Sequence, residues 1–331
     1  MGRIAVIKPD HLGDLVLARP AIHAVERDND IVLHVASTSV DLAHLLFSGI
    51  EVRSIDFPHL ARRPVSTLDF DKLTKDLAAF DRVLILRDDE IMRTLAAALQ
   101  GRTLLAAGDH FTHDTRIHQR ALEVEFPAYS RTQLFASQPI FWPASIQSVG
   151  LCVAAGFPTN RWPIHYWYEL ALWLERNGIS FKLIGGPDER ESLSLLSTML
   201  GAIPHRVVRG GIGFANFFDE LAELDLIVAS DGGTAHICSL LKPILSIFGG
   251  SPWRRYAPFG FSNVVMTRDL VCSPCLQFSR TEVNGCLTRE CMVNITPKDV
   301  FRVIVSNGLD FSAVRQAEVY RGASHLENRP D

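Results

Sequence analysis

Short, branched apolar runs alternate with longer segments of helical spacing along most of this chain. In the first third, Arg3–Lys8, Asp30–Ala36, Glu51–Ile55, Val83–Leu86 and Thr103–Ala106 read as strands. They are brief, rich in β-branched residues and bounded by polar breaks. Between them lie helical stretches: Gly13 to Arg27, Asp41–Phe47, Leu68–Phe80 and Ile91–Leu99. Pro20 inside the first predicts a kink or a restart, because proline removes one helical N–H. From 109 to 147 the alternation fades, and Pro127, Pro139 and Pro143 among polar residues predict linker and surface segments. It then resumes with strands at Val149–Ala154, Phe181–Ile184, Val207–Val208, Leu226–Ala229 and Ile244–Phe248. Helices at Ile164–Asn177, Glu189–Leu200, Phe217–Glu223 and Thr234–Leu241 separate them, and Pro297–Asn307 reads as a last helix.

Strands alternating with helices imply parallel sheets covered on both faces. The fold class is therefore α/β, with two halves of similar size. Their expected bounds are 1–145 and 146–300, with 301–331 a helix and tail and a candidate for crossing back to the first half. Two such halves place a cleft between them. Ligands in these sheets sit outside the carboxyl ends of the strands. The loops at those ends are 9–14, 36–40, 87–90, 155–162, 185–189, 209–213 and 230–235.

A chain of 331 residues is long for one core, which agrees with two domains. Its 47% hydrophobic and 21% charged residues are ordinary for a globular protein. A formal net charge of -4 argues against a general nucleic-acid binder. The N-terminus enters a strand directly, so no secretory signal is expected, and no apolar stretch reaches membrane-spanning length. Those features together predict a cytoplasmic protein, with peripheral contact at the membrane's inner face left open. Of six cysteines, Cys152 and Cys238 read as small core residues, while Cys272, Cys275, Cys286 and Cys291 cluster. Close clustering in a reducing compartment suggests metal more than disulfides, and C-x2-C with two further thiolates suffices for a tetrahedral site. Iron and zinc are the alternatives, with reduced free thiols the plain one.

Two turns carry the candidate chemistry. Asp14 follows Gly13 and opens a helix, where it reads either as a cap or as a carboxylate acting as general base. Strand 226–229 breaks at Ser230-Asp231-Gly232-Gly233 before a new helix. Glycines there let backbone approach a ligand, and exposed N–H groups at a helix start favour phosphate. The plain alternative makes Asp231 a cap and His236 a packed helix residue.

HLGDLVLARPAIHAV near the N-terminus and SDGGTAHICSLLKPILSIFG in the second half resemble the signature stretches of glycosyltransferase family 9, the ADP-heptose transferases of lipopolysaccharide assembly. RWP at 161–163, GGPDE at 185–189, Trp253 with Pro258, and the cysteine stretch follow in the same order. The resemblance implies a GT-B fold of two facing Rossmann-like domains. It also implies inverting transfer from a nucleotide sugar, ADP-heptose, without a catalytic metal. By it, Asp14 is the base, and Asp231, Gly233 and His236 match a D-x-G-x-x-H pattern that holds the donor. Gly232, Gly233 and Thr234 would present N–H groups to the diphosphate, and His236 would aid the leaving charge. Glu189 would accept the ribose hydroxyls, with Gly13 and Arg161 beside the donor. Where the family commonly has lysine, two residues before the tryptophan, this chain has Asn160, and its cation is Arg161 one place later. In related autotransporter heptosyltransferases such cysteines hold iron in a structural finger.

The acceptor is expected to be a lipopolysaccharide core sugar, with a protein hydroxyl or a natural product as alternatives. Arg62, Arg63, Arg116 and Arg120 read as solvated surface or as contacts for its acidic groups. A non-catalytic, metal-stapled binding module is the reading from another class. A nicotinamide dehydrogenase fits poorly, because Pro9-Asp10-His11-Leu12-Gly13-Asp14 replaces G-x-G-x-x-G after the first strand.

Overall fold

The computed structural model describes residues 2–60, 68–108, 112, 114–125, 142–153, 155–209, 213–259, 263–268, 270–275, 286, 288–306 and 318–321. The chain divides into two compact units, Met1–Gln138 and Pro139–Asp331.

The first unit runs β1 (Arg3–Lys8), α1 (Leu12–Glu26), β2 (Asp30–Val35), α2 (Val40–Leu46), β3 (Glu51–Ser54), α3 (Phe70–Leu77), β4 (Arg82–Ile85), α4 (Glu90–Ala98), β5 (Thr103–Leu105) and α5 (Asp114–Glu125). Its sheet has the order β3-β2-β1-β4-β5, parallel throughout. After its first residue β1 is wholly buried, as a central strand covered on both faces must be. Ala5, Ile7, Val83, Ile85, Met92 and Leu95 pack into one core cluster. The helix through Pro20 does not restart: α1 is one segment of fifteen residues. Leu15, Leu17, Ala18, Ala21, Ile22 and Val25 are all buried along it, and that burial outweighs one lost hydrogen bond. Helix α5 falls where linker was expected. It packs along α1, and Thr115 Oγ1 donates to the Leu17 carbonyl at 3.0 Å, in the turn before Pro20.

The second unit runs β6 (Ser148–Cys152), α6 (Ile164–Arg176), β7 (Ser180–Gly185), α7 (Arg190–Leu200), β8 (Arg206–Arg209), α8 (Phe214–Ala222), β9 (Leu226–Ser230), α9 (Gly233–Cys238), β10 (Ile244–Ile247), α10 (Trp253–Tyr256), β11 (Asn263–Thr267), α11 (Glu290–Val293), α12 (Pro297–Val305) and β12 (Glu318–Arg321). The sheet order is β12-β11-β10-β9-β6-β7-β8, parallel except for the antiparallel edge pair of β11 and β12. Trp167, Leu170, Ala171 and Leu174 form the buried stripe of α6 at helical spacing. They meet Val149 and Leu151 from β6 and Val300, Val303 and Ile304 from α12 in one core cluster. Helix α12, which packs against α6, and strand β12 both belong to this unit. Strand β11 and the short helices α10 and α11 had no clear signal in the sequence pattern. Among the described residues, no helix is long and apolar enough to cross a membrane.

Candidate functional site

In each sheet the chain reverses its winding direction once, and a crevice opens there at the carboxyl ends of the flanking strands. In the first unit that point lies between β1 and β4. Lys8 ends β1, and Asp10 follows in the turn before α1; both are 3% exposed. Lys8 Nζ donates to the Leu86 carbonyl at 2.8 Å and lies 3.0 Å from Asp10 Oδ2. Arg87, just past β4, pairs with Asp10 and with Asp89. Asp89 in turn caps α4 by accepting from the Met92 N–H at 2.9 Å, and its other oxygen lies 3.0 Å from His59 Nε2. Burial opposes every charge here. The carboxylates beside Lys8 still hold its pKa above the usual value, while Lys8 and Arg87 hold Asp10 below its own. Asp89 is held at about 2, chiefly by Arg87 and its cap bond.

Asp14 stands in the first turn of α1 beside this lattice. Burial, then the Asp10 and Asp114 carboxylates, push its pKa up to about 7 against the pull of Lys8 and Arg87. That places it where a carboxylate exchanges a proton near neutrality. Asp114 and His118 come from α5 and are buried; burial and Lys8 push the His118 imidazole down to about 4, so it is neutral. Gly13, also buried, precedes Asp14 in the same turn. Of this group the sequence singled out only Gly13 and Asp14. Asp10 and Arg87 sit in or beside loops expected on the rim, but their pairing depends on β1 and β4 being neighbours.

In the second unit the reversal lies between β6 and β9. Asp231 follows β9 directly and is 9% exposed. Asn160, from the 158–160 turn after β6, donates from Nδ2 to Asp231 Oδ2 at 2.8 Å and to Ser251 Oγ at 2.6 Å. Burial pushes Asp231 up to about 6, with the Ser251 hydrogen bond opposing. Gly232 leads into α9, which begins at Gly233 rather than Thr234. Gly232, Gly233 and Thr234 are half-exposed while Ala235 to Ser239 are buried, so this turn shows backbone outward from a packed base. His236 is 5% exposed on α9. Glu189 folds back over the β7 turn and accepts from the Gly186 N–H at 2.5 Å. Thr234 Oγ1 reaches the same Glu189 oxygen at 3.4 Å, so the β7 and β9 turns are joined. A Cβ on Gly185 would lie 2.9 Å from Leu193 Cδ1 and 3.0 Å from that carboxylate oxygen, so a side chain there would press on both. Arg161 is exposed, with Nε on the Ala155 carbonyl at 3.1 Å.

The structure thus brings Glu189 and Thr234 together, and Asp231 with Asn160. Ser251 went unmarked in the sequence, where nothing distinguished it from other loop serines. Cys152 and Cys238 are buried with sulfurs 3.9 Å apart, as core thiols. Cys272, Cys275, Cys286 and Cys291 are unbonded, and their charges influence one another: burial first, then the other three thiols, push Cys291 up to about 11. Residues 276–285 between them lie outside the described residues. Among the described residues, no group of three or more His, Cys, Asp or Glu is placed to hold a metal ion. Arg116 and Arg120 lie on α5, while Arg62 and Arg63 are outside the described residues.

Comparison with known proteins bears on the whole chain. Lipopolysaccharide heptosyltransferase 1 of Pseudomonas aeruginosa is 32% identical over 121 residues. That match covers 36% of this chain and spans only a third, 33%, of the relative. The solved E. coli heptosyltransferase WaaC with ADP has a TM-score of 0.66 at 16% identity, over 92% of this chain and 99% of that one. The iron-containing dodecameric glycosyltransferase TibC from enterotoxigenic E. coli has a TM-score of 0.56 at 13% identity, over 92% and 76%. At such identities the likeness establishes the fold, the two α/β domains of the GT-B class. The sequence profile described as Glycosyltransferase family 9 (heptosyltransferase) matches residues 93–286. With more than half of its length matched by that profile, the chain belongs to glycosyltransferase family 9.

Proposed function

We propose that this protein moves heptose from ADP-heptose to a hydroxyl of a lipopolysaccharide core sugar, with inversion, Asp14 being the general base. The observation that carries the reading is Asp14 itself. It is a carboxyl at the β1–β4 reversal, in the field of Lys8, Asp10, Asp114 and Arg87, and burial first pushes it up to about 7. A base with that proton affinity is matched to its task at neutral pH. As the acceptor oxygen bonds to the anomeric carbon, its proton passes to the Asp14 carboxylate. The bond from that carbon to the diphosphate breaks, and its electron pair leaves with ADP. The second unit would hold the donor. Gly232, Gly233 and Thr234 are half-exposed residues whose N–H groups would suit the diphosphate, and His236, buried on the same helix, would suit the leaving charge. Glu189, already fixed by Gly186, suits the ribose hydroxyls, with Arg161 as the nearby cation.

The test is product formation from ADP-heptose and a core-sugar acceptor. Asp14→Asn is expected to lower kcat by about 10²–10⁴-fold with the donor KM little changed. In the wild type, kcat/KM should fall as pH drops through about 7, because the base is then protonated. Full activity in both Asp14→Asn and Asp14→Ala would overturn the assignment.

A protein hydroxyl as acceptor is the second reading, favoured by the cysteine stretch and its resemblance to that of the autotransporter heptosyltransferases. Mass spectrometry of products from an acceptor panel separates the two. The same reading assigns a cytoplasmic protein, peripheral to the membrane when its acceptor is a glycolipid. It also assigns a structural iron or zinc to Cys272, Cys275, Cys286 and Cys291. Support for that comes from the donor set alone, since four thiolates suit either ion; among the described residues the four are not gathered to hold one. No catalytic step is routed through it.

A further inference from the structure

The β6–β9 reversal holds a buried acid whose partners are all neutral. Asp231 is bonded by the Asn160 amide and the Ser251 hydroxyl, and those two residues are 1% and 5% exposed. Among the described residues, the titratable and charged groups on the surrounding elements are His236 and Cys238 on α9, Cys152 at the end of β6, Asp188 and Glu189 on the β7 turn, Arg161 next to Asn160, Arg254, Arg255 and Tyr256 on α10 after Ser251, and Cys275, whose N–H bonds the Gly250 carbonyl. Arg161 turns its Nε to the Ala155 carbonyl, and Glu189 binds the Gly186 N–H. Burial, opposed only by the serine, accounts for the upward shift of Asp231. An ionised carboxylate so placed is costly.

Asn160 is a particular kind of partner. An amide has a donor end and an acceptor end, and its two orientations are fixed by hydrogen bonding. Here Nδ2 makes both bonds, while Oδ1 is buried with no hydrogen-bond partner. A half-turn of the amide offers Oδ1 to a carboxylic acid in place of Nδ2 to a carboxylate. A lysine or arginine could serve only the anion. Asn160 can serve both forms.

We propose that Asp231 takes up a proton from solvent when the diphosphate of the nucleotide sugar binds at the adjoining Gly232–Thr234 turn, and that Asn160 is the positioning residue that makes both protonation states tolerable. The proposal rests on the donor assignment above. Negative charge arriving beside the acid favours its neutral form, so binding and protonation are linked. Donor affinity therefore weakens as pH rises, and an Asp231 that is already neutral has nothing to gain.

Calorimetric titration of the full-length protein with ADP-heptose, in buffers of different ionisation enthalpy, counts the protons. This probe is esterified at both ends of its diphosphate, so it lacks the monoester group that titrates near pH 6. Uptake approaching one proton is expected near neutrality, fading in acid, with affinity falling by up to about tenfold per pH unit across the linked range. Asp231→Asn should bind with no uptake and little pH dependence. Asn160→Ala removes the amide from the carboxylate and should move the whole pH profile upward, whereas loss of structure alone would weaken binding alike at every pH. Wild-type binding without proton uptake overturns the proposal and leaves the donor assignment intact, as does undiminished uptake in Asp231→Asn. No binding of ADP-heptose at any pH overturns both.

Discussion

Asp14 and Asp231 are carboxyls raised for related reasons by different surroundings. Asp14 is pushed up by burial and by neighbouring carboxylates, against two cations; Asp231 by burial alone. The second case has a consequence for stability that needs no substrate. The folded-state pKa of Asp231, about 6, lies above its ordinary 3.8. Its contribution is therefore fully present below pH 3.8 and is lost as pH rises through about 6. Asp231→Asn removes that loss. Between about pH 4 and pH 7 the variant should gain roughly 3 kcal/mol relative to the wild type, read from urea unfolding at each pH. Parallel pH profiles for the two proteins would show that the acid is ionised throughout. Asp14 and Asp231 were legible in the sequence because each follows a strand and borders glycine. Lys8, Asp10, Arg87, Asp89, Asp114 and His118 were not, because each makes sense only beside a residue from another strand or helix.

Helices are legible in the sequence where one stripe is apolar, and are obscured where proline or polar residues interrupt it. Pro20 pointed to a break that burial of the flanking residues overrides. Helix α5 is hidden in the sequence because it is polar on average, and what anchors it is tertiary. Thr115 is one of them, buried with its hydroxyl on the Leu17 carbonyl. Thr115→Val keeps the shape but removes that hydrogen bond, while the Leu17 carbonyl keeps its helical partner. A loss of about 0.5–1.5 kcal/mol is expected in denaturant unfolding. Since α5 also brings Asp114 to the field around Asp14, the same variant should displace the acid limb of the rate profile. Unchanged stability would show that the α1–α5 contact is held elsewhere.

Each unit has its own sheet and its own buried clusters, and the residues proposed to hold the donor, Gly13 apart, belong to the second. Residues 139–331 expressed alone are therefore expected to fold and to bind ADP, seen by circular dichroism and calorimetry, while transferring no sugar because Asp14 is missing. An unfolded fragment would show that the second core depends on the first unit. From the sequence alone came the alternation of strand and helix, hence two parallel α/β sheets, and the two glycine-bordered acids at strand ends. These are local properties: periodicity and turn chemistry act over a few residues and survive in one dimension. Strand order is different. That β4 lies beside β1, and β9 beside β6, depends on how crossovers bury apolar faces over tens of residues. Only that order sets Arg87 against Asp10, and Asn160 against Asp231. Burial at those junctions, which no linear pattern contains, then decides how tightly each acid holds its proton.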